Sequence, residues 1–255
     1  MYFSNESIRD FIFYLMDDRE NSKTSYSAIE PLYGDIKKAI ESNLAVIKSE
    51  MKLESKQNMI DCDLLDSKYV PQEVHEYIDK SFIVTLDCTT FVPTKYHYKA
   101  NVGGRDVNLF FILFEPDNKV DIYAKHVLSW LKVLGKYSKK KCSKTLNVYL
   151  LMTPLEKNLP QLESDIIGPL HCNTAVTYAC SPTGEILVFR KQEWFKVFIH
   201  ETFHSFGLDF STFMDSSFVE KMGKLFLIKS DFKMFESYTE FWATVINCIY
   251  NTYVL

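Results

Sequence analysis

The chain has 255 residues, 47% of them hydrophobic and 24% charged, a composition typical of a folded globular protein and not of a disordered one. Its net charge of −4 excludes a general attraction to nucleic acid or to anionic membranes, so we expect neither as a partner. No apolar run approaches the roughly 18 residues that a membrane span needs, and the first residues lack the basic segment of a signal peptide. We therefore expect an intracellular, cytoplasmic protein without a membrane span.

The cysteines contain no C-x-x-C pair, which argues against a thiolate metal site or a thioredoxin-like motif. In the reducing compartment expected for an intracellular protein, their thiols would be free. This prediction covers Cys62, Cys88, Cys142, Cys172, Cys180 and Cys248.

The first part of the chain has helical periodicity. Residues 6–16 place apolar side chains on one face of a short helix, and a polar break at residues 17–25 follows. Pro31 then suits the first turn of a helix, where a missing backbone N–H costs little. Over residues 32–51 apolar side chains recur every three or four positions, which predicts one long amphipathic helix. We interpret residues 1–80 as a mainly helical N-terminal region.

Beyond residue 80 strand patterns alternate with helical ones. Residues 107–114 are almost wholly apolar, which is typical of an interior strand covered on both faces. Residues 120–137 follow as a helix, and Gly103–Gly104 and residues 181–184 have turn composition. Further strands are predicted at residues 81–87, 96–98, 146–152, 174–180 and 185–190, and further helices at 218–228 and 235–250. This order of elements predicts an α+β fold with a mixed sheet.

Residues 200–204, His-Glu-Thr-Phe-His, have the spacing H-E-x-x-H in an apolar, helical context. Residues i and i+4 of a helix lie on the same face, so His200 and His204 could hold one zinc ion between them. Glu201 follows His200 directly and could reach a water bound to that ion. Gly207 is placed to end the helix in a left-handed conformation. The motif predicts Zn²⁺ as the cofactor.

A catalytic zinc takes three protein ligands and leaves one position open, so a third ligand must come from elsewhere in the chain. One candidate is Glu236, which shares a helix face with Glu240; one carboxylate would bind the metal and the other would accept the spare N–H of a ligand histidine. The other candidate is Asp209, five residues after His204. In the Gly-turned arrangement H-E-x-x-H-x-x-G-x-x-H/D the ligand stands six residues after the second histidine, where this chain has Phe210. The spacing favours Glu236 and leaves Asp209 as an alternative ligand or a partner of a histidine.

In its motif residues the chain resembles the zincin metallopeptidases, and among them the gluzincin branch. There, H-E-x-x-H on one helix is completed by a glutamate from a later helix, often followed four residues on by an acidic or amide residue. The matching positions are His200, Glu201, His204, Glu236 and Glu240. The resemblance implies a zinc metallopeptidase acting on a peptide or protein substrate, with Glu201 as general base. The residues around the motif are also similar to those of uncharacterised metallopeptidases of large DNA viruses, which implies a virion-associated location as an alternative to the cytoplasm.

The resemblance also implies where substrate binds. In zincins an edge strand and then an inner strand precede the active-site helix, and the edge strand pairs with extended substrate. Residues 174–180 would be that edge, and Asn173, Thr174 and Ala175 resemble the Asn-Ala start often found there. A second donor to the developing oxyanion would come from Tyr238, Tyr178 or His171.

The zincin-like domain implied by these matches covers residues 81–255, with the sheet and active-site helix in 81–207 and a helical C-terminal subdomain in 208–255. The alternative is a protein of another class, a structural or interaction component such as a virion protein, which keeps the fold without turnover. An intact Glu201 argues against it, because a structural zinc needs no general base. Lysines between positions 136 and 144 are interpreted as a solvated turn and not as a nucleic-acid site.

Overall fold

A computed structural model describes residues 23–58, 93–160, 162, 166–167, 169–211, 216–226 and 233–254. The helices are α1 Lys23–Glu50, α2 Val120–Tyr137, α3 Pro169–Cys172, α4 Trp194–Ser205, α5 Ser216–Phe226 and α6 Met234–Val254. The strands are β1 Met51–Asn58, β2 Thr94–Val102, β3 Arg105–Leu113, β4 Thr145–Met152, β5 Ala175–Thr177 and β6 Thr183–Val188. Within the described residues, none of these helices combines the length and the apolarity that crossing a membrane demands.

The strands form one mixed sheet in the order β1-β2-β3-β4-β6-β5. The first three strands pair antiparallel, and β3, β4 and β6 run parallel to one another. Helix α2 connects β3 to β4, because parallel neighbours need a long crossover. Strand β5 then returns antiparallel to β6 at the end of the sheet. The fold is therefore α+β with a mixed sheet, and this part of the sequence prediction is confirmed.

Helices α2, α4 and α6 bury their apolar side chains in a common core with one face of the sheet. Alternate residues of the inner strands supply that face, and Leu109, Phe111 and Val148 are fully buried in it. The indole N–H of Trp130 on α2 donates to Thr202 Oγ1 on α4 at 2.9 Å. This bond fixes the motif helix against α2, because a buried N–H without an acceptor costs about 1–3 kcal/mol.

The N-terminal predictions need correction. Helix α1 begins at Lys23, within the predicted polar break, so Pro31 lies inside the helix and not in its first turn. Proline there removes one hydrogen bond, to the carbonyl four residues earlier. The helix also ends at Glu50, and Met51 begins β1, which pairs with β2 in the same sheet as the strands beyond residue 80. The predicted helix at 6–16 and strand at 81–87 lie outside the described residues.

The predictions for the middle of the chain are confirmed more closely. The helix at residues 120–137 has the predicted bounds, and the predicted strands at 96–98, 107–114 and 146–152 correspond to β2, β3 and β4. Gly103 and Gly104 form the β2–β3 turn with φ of 59° and 78°, a conformation that glycine adopts at no steric cost. Strand β5 is shorter than predicted and stops at Thr177, because the chain turns toward Cys180.

Cys142 and Cys180 form a disulfide, so the prediction of free thiols is wrong for this pair. The two residues are 38 positions apart, and sequence periodicity carries no sign that their loops meet. They meet at the C-terminal end of α4, where the backbone N–H of Cys180 donates to the carbonyl of His204 at 3.1 Å. Cys172 and Cys248 are free, as predicted, and Cys62 and Cys88 lie outside the described residues.

Candidate metal centre

Two helices supply the side chains of the centre. Helix α4 follows β6 and carries His200 and His204 one turn apart on the same face. Gly207 ends this helix with φ of 64°, and its N–H donates to the carbonyl of His204 at 3.0 Å. Helix α6 packs against α4 and carries Glu236 and Glu240, also one turn apart, toward the histidines.

Three ligand-type atoms converge between these helices. His200 Nε2 lies 3.2 Å from His204 Nε2 and 3.2 Å from Glu236 Oε2, and His204 Nε2 lies 3.4 Å from the same oxygen. Within the described part of the chain, His200, His204 and Glu236 are the metal-ligating side chains whose ligand atoms lie close enough together to hold one metal ion. Two ligands of a tetrahedral zinc with bonds of about 2.0–2.1 Å are about 3.3 Å apart. The spacing of these three atoms is therefore compatible with zinc.

Each histidine is held by a carboxylate on its other nitrogen. His200 Nδ1 lies 3.1 Å from Glu240 Oε2, and His204 Nδ1 lies 2.8 Å from Asp209 Oδ2. Metal-binding imidazoles are commonly oriented in this way, through the N–H that does not face the ion. Glu236 therefore faces the point where the two Nε2 atoms meet, whereas Asp209, the alternative candidate ligand, bonds to the far side of His204.

These contacts determine the tautomers of both rings. An ionised carboxylate only accepts hydrogen bonds, so each Nδ1 that faces Glu240 or Asp209 must donate. In a neutral imidazole the opposite nitrogen, Nε2, then carries a lone pair. The centre consequently brings together two imidazole lone pairs and the oxygen of Glu236. Three acceptors at about 3.3 Å repel one another unless a cation or added protons lie between them.

The pKa values of the histidines and of Glu236 are shifted in the directions that favour positive charge at this point. Burial lowers the pKa of His200, but hydrogen bonds to Glu236 and Glu240 outweigh it and raise that pKa to about 9. Burial likewise opposes protonation of His204, yet its bonds to Glu236 and Asp209 raise its pKa. The two histidines hold the pKa of Glu236 well below its usual range. Bound zinc would supply this positive charge in place of the protons that the raised pKa values keep on His200 and His204.

Glu201 lines a cavity of about 780 Å³ together with His200, His204 and Glu236. Burial raises the pKa of Glu201 to about 7, and the neighbouring His200 and His204 act in the opposite direction. A carboxyl group with a pKa near 7 can both accept and donate a proton close to neutral pH. Glu201 is thus suited to move a proton within this cavity.

The predicted substrate strand lies along the same cavity. Asn173, Thr174 and Ala175 all line it, followed by Val176 and Thr177 of β5. Strand β5 is the last strand of the described sheet, so only one of its edges is paired there, with β6. Its second edge is where an extended chain could add main-chain hydrogen bonds.

The three predicted oxyanion donors are not among the described residues that line the cavity. Tyr238 is 38% exposed, and its ring contacts those of Phe203, Phe210 and Trp242. The reason is geometric, because two positions beyond Glu236 correspond to about 200° of rotation around a helix. His171 precedes the lining residues 172–177, and Tyr178 lies between the lining residues Thr177 and Ala179, but neither side chain lines the cavity.

Sequence reasoning missed one residue of the centre. Lys196 lines the cavity, and its ammonium is in direct contact with Glu240 Oε1. The available signal was its spacing, because Lys196 stands four positions before His200 and shares its helix face.

Comparison of this chain with protein-family models, curated proteins and solved structures found no match. The geometry of the site is therefore what supports a functional assignment.

Proposed function

We propose that this protein is a zinc-dependent hydrolase, with His200, His204 and Glu236 as the metal ligands. The observation that carries the proposal is the convergence of two imidazole nitrogens and one carboxylate oxygen at 3.2–3.4 Å, each imidazole backed by a carboxylate. Within that class, we propose a zincin metallopeptidase of the gluzincin type. Two features support this narrower assignment: the motif helix follows the edge strand β5 and then the inner strand β6, and Glu236 lies on a later helix.

Bound zinc would supply a Lewis acid that lowers the pKa of a coordinated water from 15.7 toward about 7. Glu201 accepts a proton from the attacking water and later donates it to the nitrogen of the leaving amine. Its pKa of about 7 suits both directions of transfer. Glu240 and Asp209 keep the histidine rings in the tautomer that presents Nε2 to the centre.

Peptides are the proposed substrates because of β5. The strand lies beside the centre, and residues 173–177 line the cavity. An extended chain that pairs with its open edge would receive main-chain hydrogen bonds independent of side-chain identity. These bonds would place a peptide carbonyl near the zinc and Glu201, where its bond to nitrogen can be broken.

The test combines metal analysis with a digest of a diverse peptide library read by mass spectrometry. We expect one zinc per chain in the wild type, and cleavage that a chelator abolishes and zinc restores. Glu201→Gln should keep zinc and lose about 10²–10⁴-fold in rate, because the positioned proton acceptor is gone. His204→Ala should lose both zinc and activity, and Glu220→Gln, on the exposed face of α5, should lose neither.

Trace zinc in well-folded wild-type protein would contradict the metal site itself. Stoichiometric zinc with no cleavage, or with equal cleavage by Glu201→Gln, would instead contradict the peptidase assignment. The second outcome would favour a structural or interaction protein that retains the centre without turnover.

A further inference from the structure

Lys196 forms an ordered contact behind the metal centre. It is the third residue of α4, and its side chain is only 17% exposed although lysine normally extends into solvent. Its ammonium contacts Glu240 Oε1, and Oε2 of Glu193, the residue just before the helix, lies 3.9 Å away. Glu240 uses its second oxygen, Oε2, for His200 Nδ1. One carboxylate therefore joins Lys196 to the imidazole that faces the metal position.

The charges around the centre explain why a cation is needed at this point. Four carboxylates surround two imidazoles, namely Glu201, Asp209, Glu236 and Glu240. Glu236 and Glu240 also stand at i and i+4 on α6, where like charges repel. Without a counter-charge, Glu240 would gain by turning outward into water and would release His200 Nδ1.

We propose that Lys196 is a positioning residue of the metal centre, which acts through Glu240. By occupying Oε1 it leaves Oε2 for His200, and so it keeps the His200 ring oriented with Nε2 toward the metal. The inference rests on the proposed zinc site and adds to it a residue beyond the H-E-x-x-H motif. Lys196 touches none of the three ligand atoms, so its effect must pass through the carboxylate.

The experiment measures zinc affinity by competition with a chromophoric chelator, which reports on the centre without any assay of cleavage. Lys196→Met keeps the length and apolar stem of the side chain and removes the charge. We expect it to weaken zinc binding roughly tenfold, the lower end of the effect of losing a partner of a ligand histidine. Lys196→Arg should restore affinity to within about threefold, because a guanidinium can also contact Glu240.

The matched control is Lys224→Met on α5. Lys224 forms an exposed i,i+4 pair with Glu220 at 2.6 Å, so the substitution removes a lysine–glutamate pair whose two residues are not among those that line the cavity. Zinc affinity should not change. Thermal unfolding of each metal-free variant checks that the folds are equivalent.

A double-mutant cycle decides how Lys196 acts. In a Glu240→Gln background the lysine has no carboxylate to hold, so Lys196→Met should change zinc affinity less than about twofold. An equal tenfold loss in both backgrounds would overturn the proposal. So would an unchanged zinc affinity combined with a raised KM for peptides, because the lysine would then contact substrate. If the wild type binds no zinc, the proposed function fails first, and the two failures are distinguishable.

Discussion

Binding of zinc should release between one and two protons from the protein at pH 7.0. The reason lies in His200, whose pKa is raised from 6.5 to about 9 by Glu236 and Glu240 against the effect of burial. At pH 7.0 such a ring is about 99% protonated, whereas a ring with the ordinary pKa would be about 24% protonated. Zinc binds the neutral imidazole, so the proton on His200 must leave. His204, whose pKa is also raised, adds part of a second proton, and the ionised Glu236 adds none.

Isothermal titration calorimetry measures this number directly. Zinc is titrated into metal-free protein at pH 7.0 in buffers that differ in ionisation enthalpy, and the slope of the observed heat against that enthalpy is the number of protons released. Two histidines with ordinary pKa values would give about 0.5, and a zinc-bound water with a pKa near 7 would add about 0.5 in either case. A slope at or below about 1 would therefore refute the electrostatic account of the centre, even if zinc binds tightly.

The same shift predicts a pH dependence for the metal-free fold. A histidine whose folded pKa exceeds its unfolded value stabilises the fold below pH 6.5, and this contribution is lost as the pH rises through about 9. A rise in pKa from 6.5 to about 9 corresponds to at most about 3 kcal/mol of folding free energy. Urea denaturation of metal-free protein at pH 6.5 and pH 9.5 checks it, with Glu240→Gln as the variant that should show a smaller loss.

Three further substitutions test individual contacts. Gly207→Ala should destabilise the protein by about 2 kcal/mol in urea denaturation, because φ is 64° there and the new Cβ would lie 3.3 Å from Cys180 Cβ; an unchanged midpoint would count against this. Thr202→Val should cost about 1–3 kcal/mol by leaving the Trp130 indole N–H without its acceptor, and Thr202→Ser should recover most of it. Tyr238→Phe should keep kcat/KM within about twofold, because its hydroxyl belongs to an aromatic cluster outside the cavity lining; a drop of a hundredfold, the size seen for oxyanion donors, would show that the hydroxyl takes part.

The parts of the site that sequence predicts well depend on local geometry. His200 and His204, and then Glu236 and Glu240, are i,i+4 pairs whose shared face follows from helical periodicity alone. Asp209 could not be assigned in the same way. Its choice between ligand and histidine partner depends on how the chain turns after Gly207, and the structure directs it to His204 Nδ1.

The features that sequence reasoning missed depend on contacts between distant segments. Met51, the first residue of β1, falls within the predicted helix because it continues the helical spacing, while the pairing of β1 with β2 joins two strands that are separated by 35 residues in the sequence. The disulfide and the contact of Lys196 with Glu240, 44 positions apart, are of the same kind. Helix bounds such as those of α2 were predictable, because helical periodicity acts within a few residues.

The disulfide between Cys142 and Cys180 closes a covalent ring that contains β4, α3 and β5. Closure of a ring of this size lowers the conformational entropy of the unfolded chain. In the simplest entropy treatment this stabilises the folded state by about 4 kcal/mol. The ring also spans residues 153–168, where Leu159 and Ile166 are 77% and 90% exposed. A protease that cuts the chain there would leave both fragments joined, so the strand beside the centre would stay tethered to the sheet. Such a nicked molecule would migrate as one band without a reducing agent and as two bands with it.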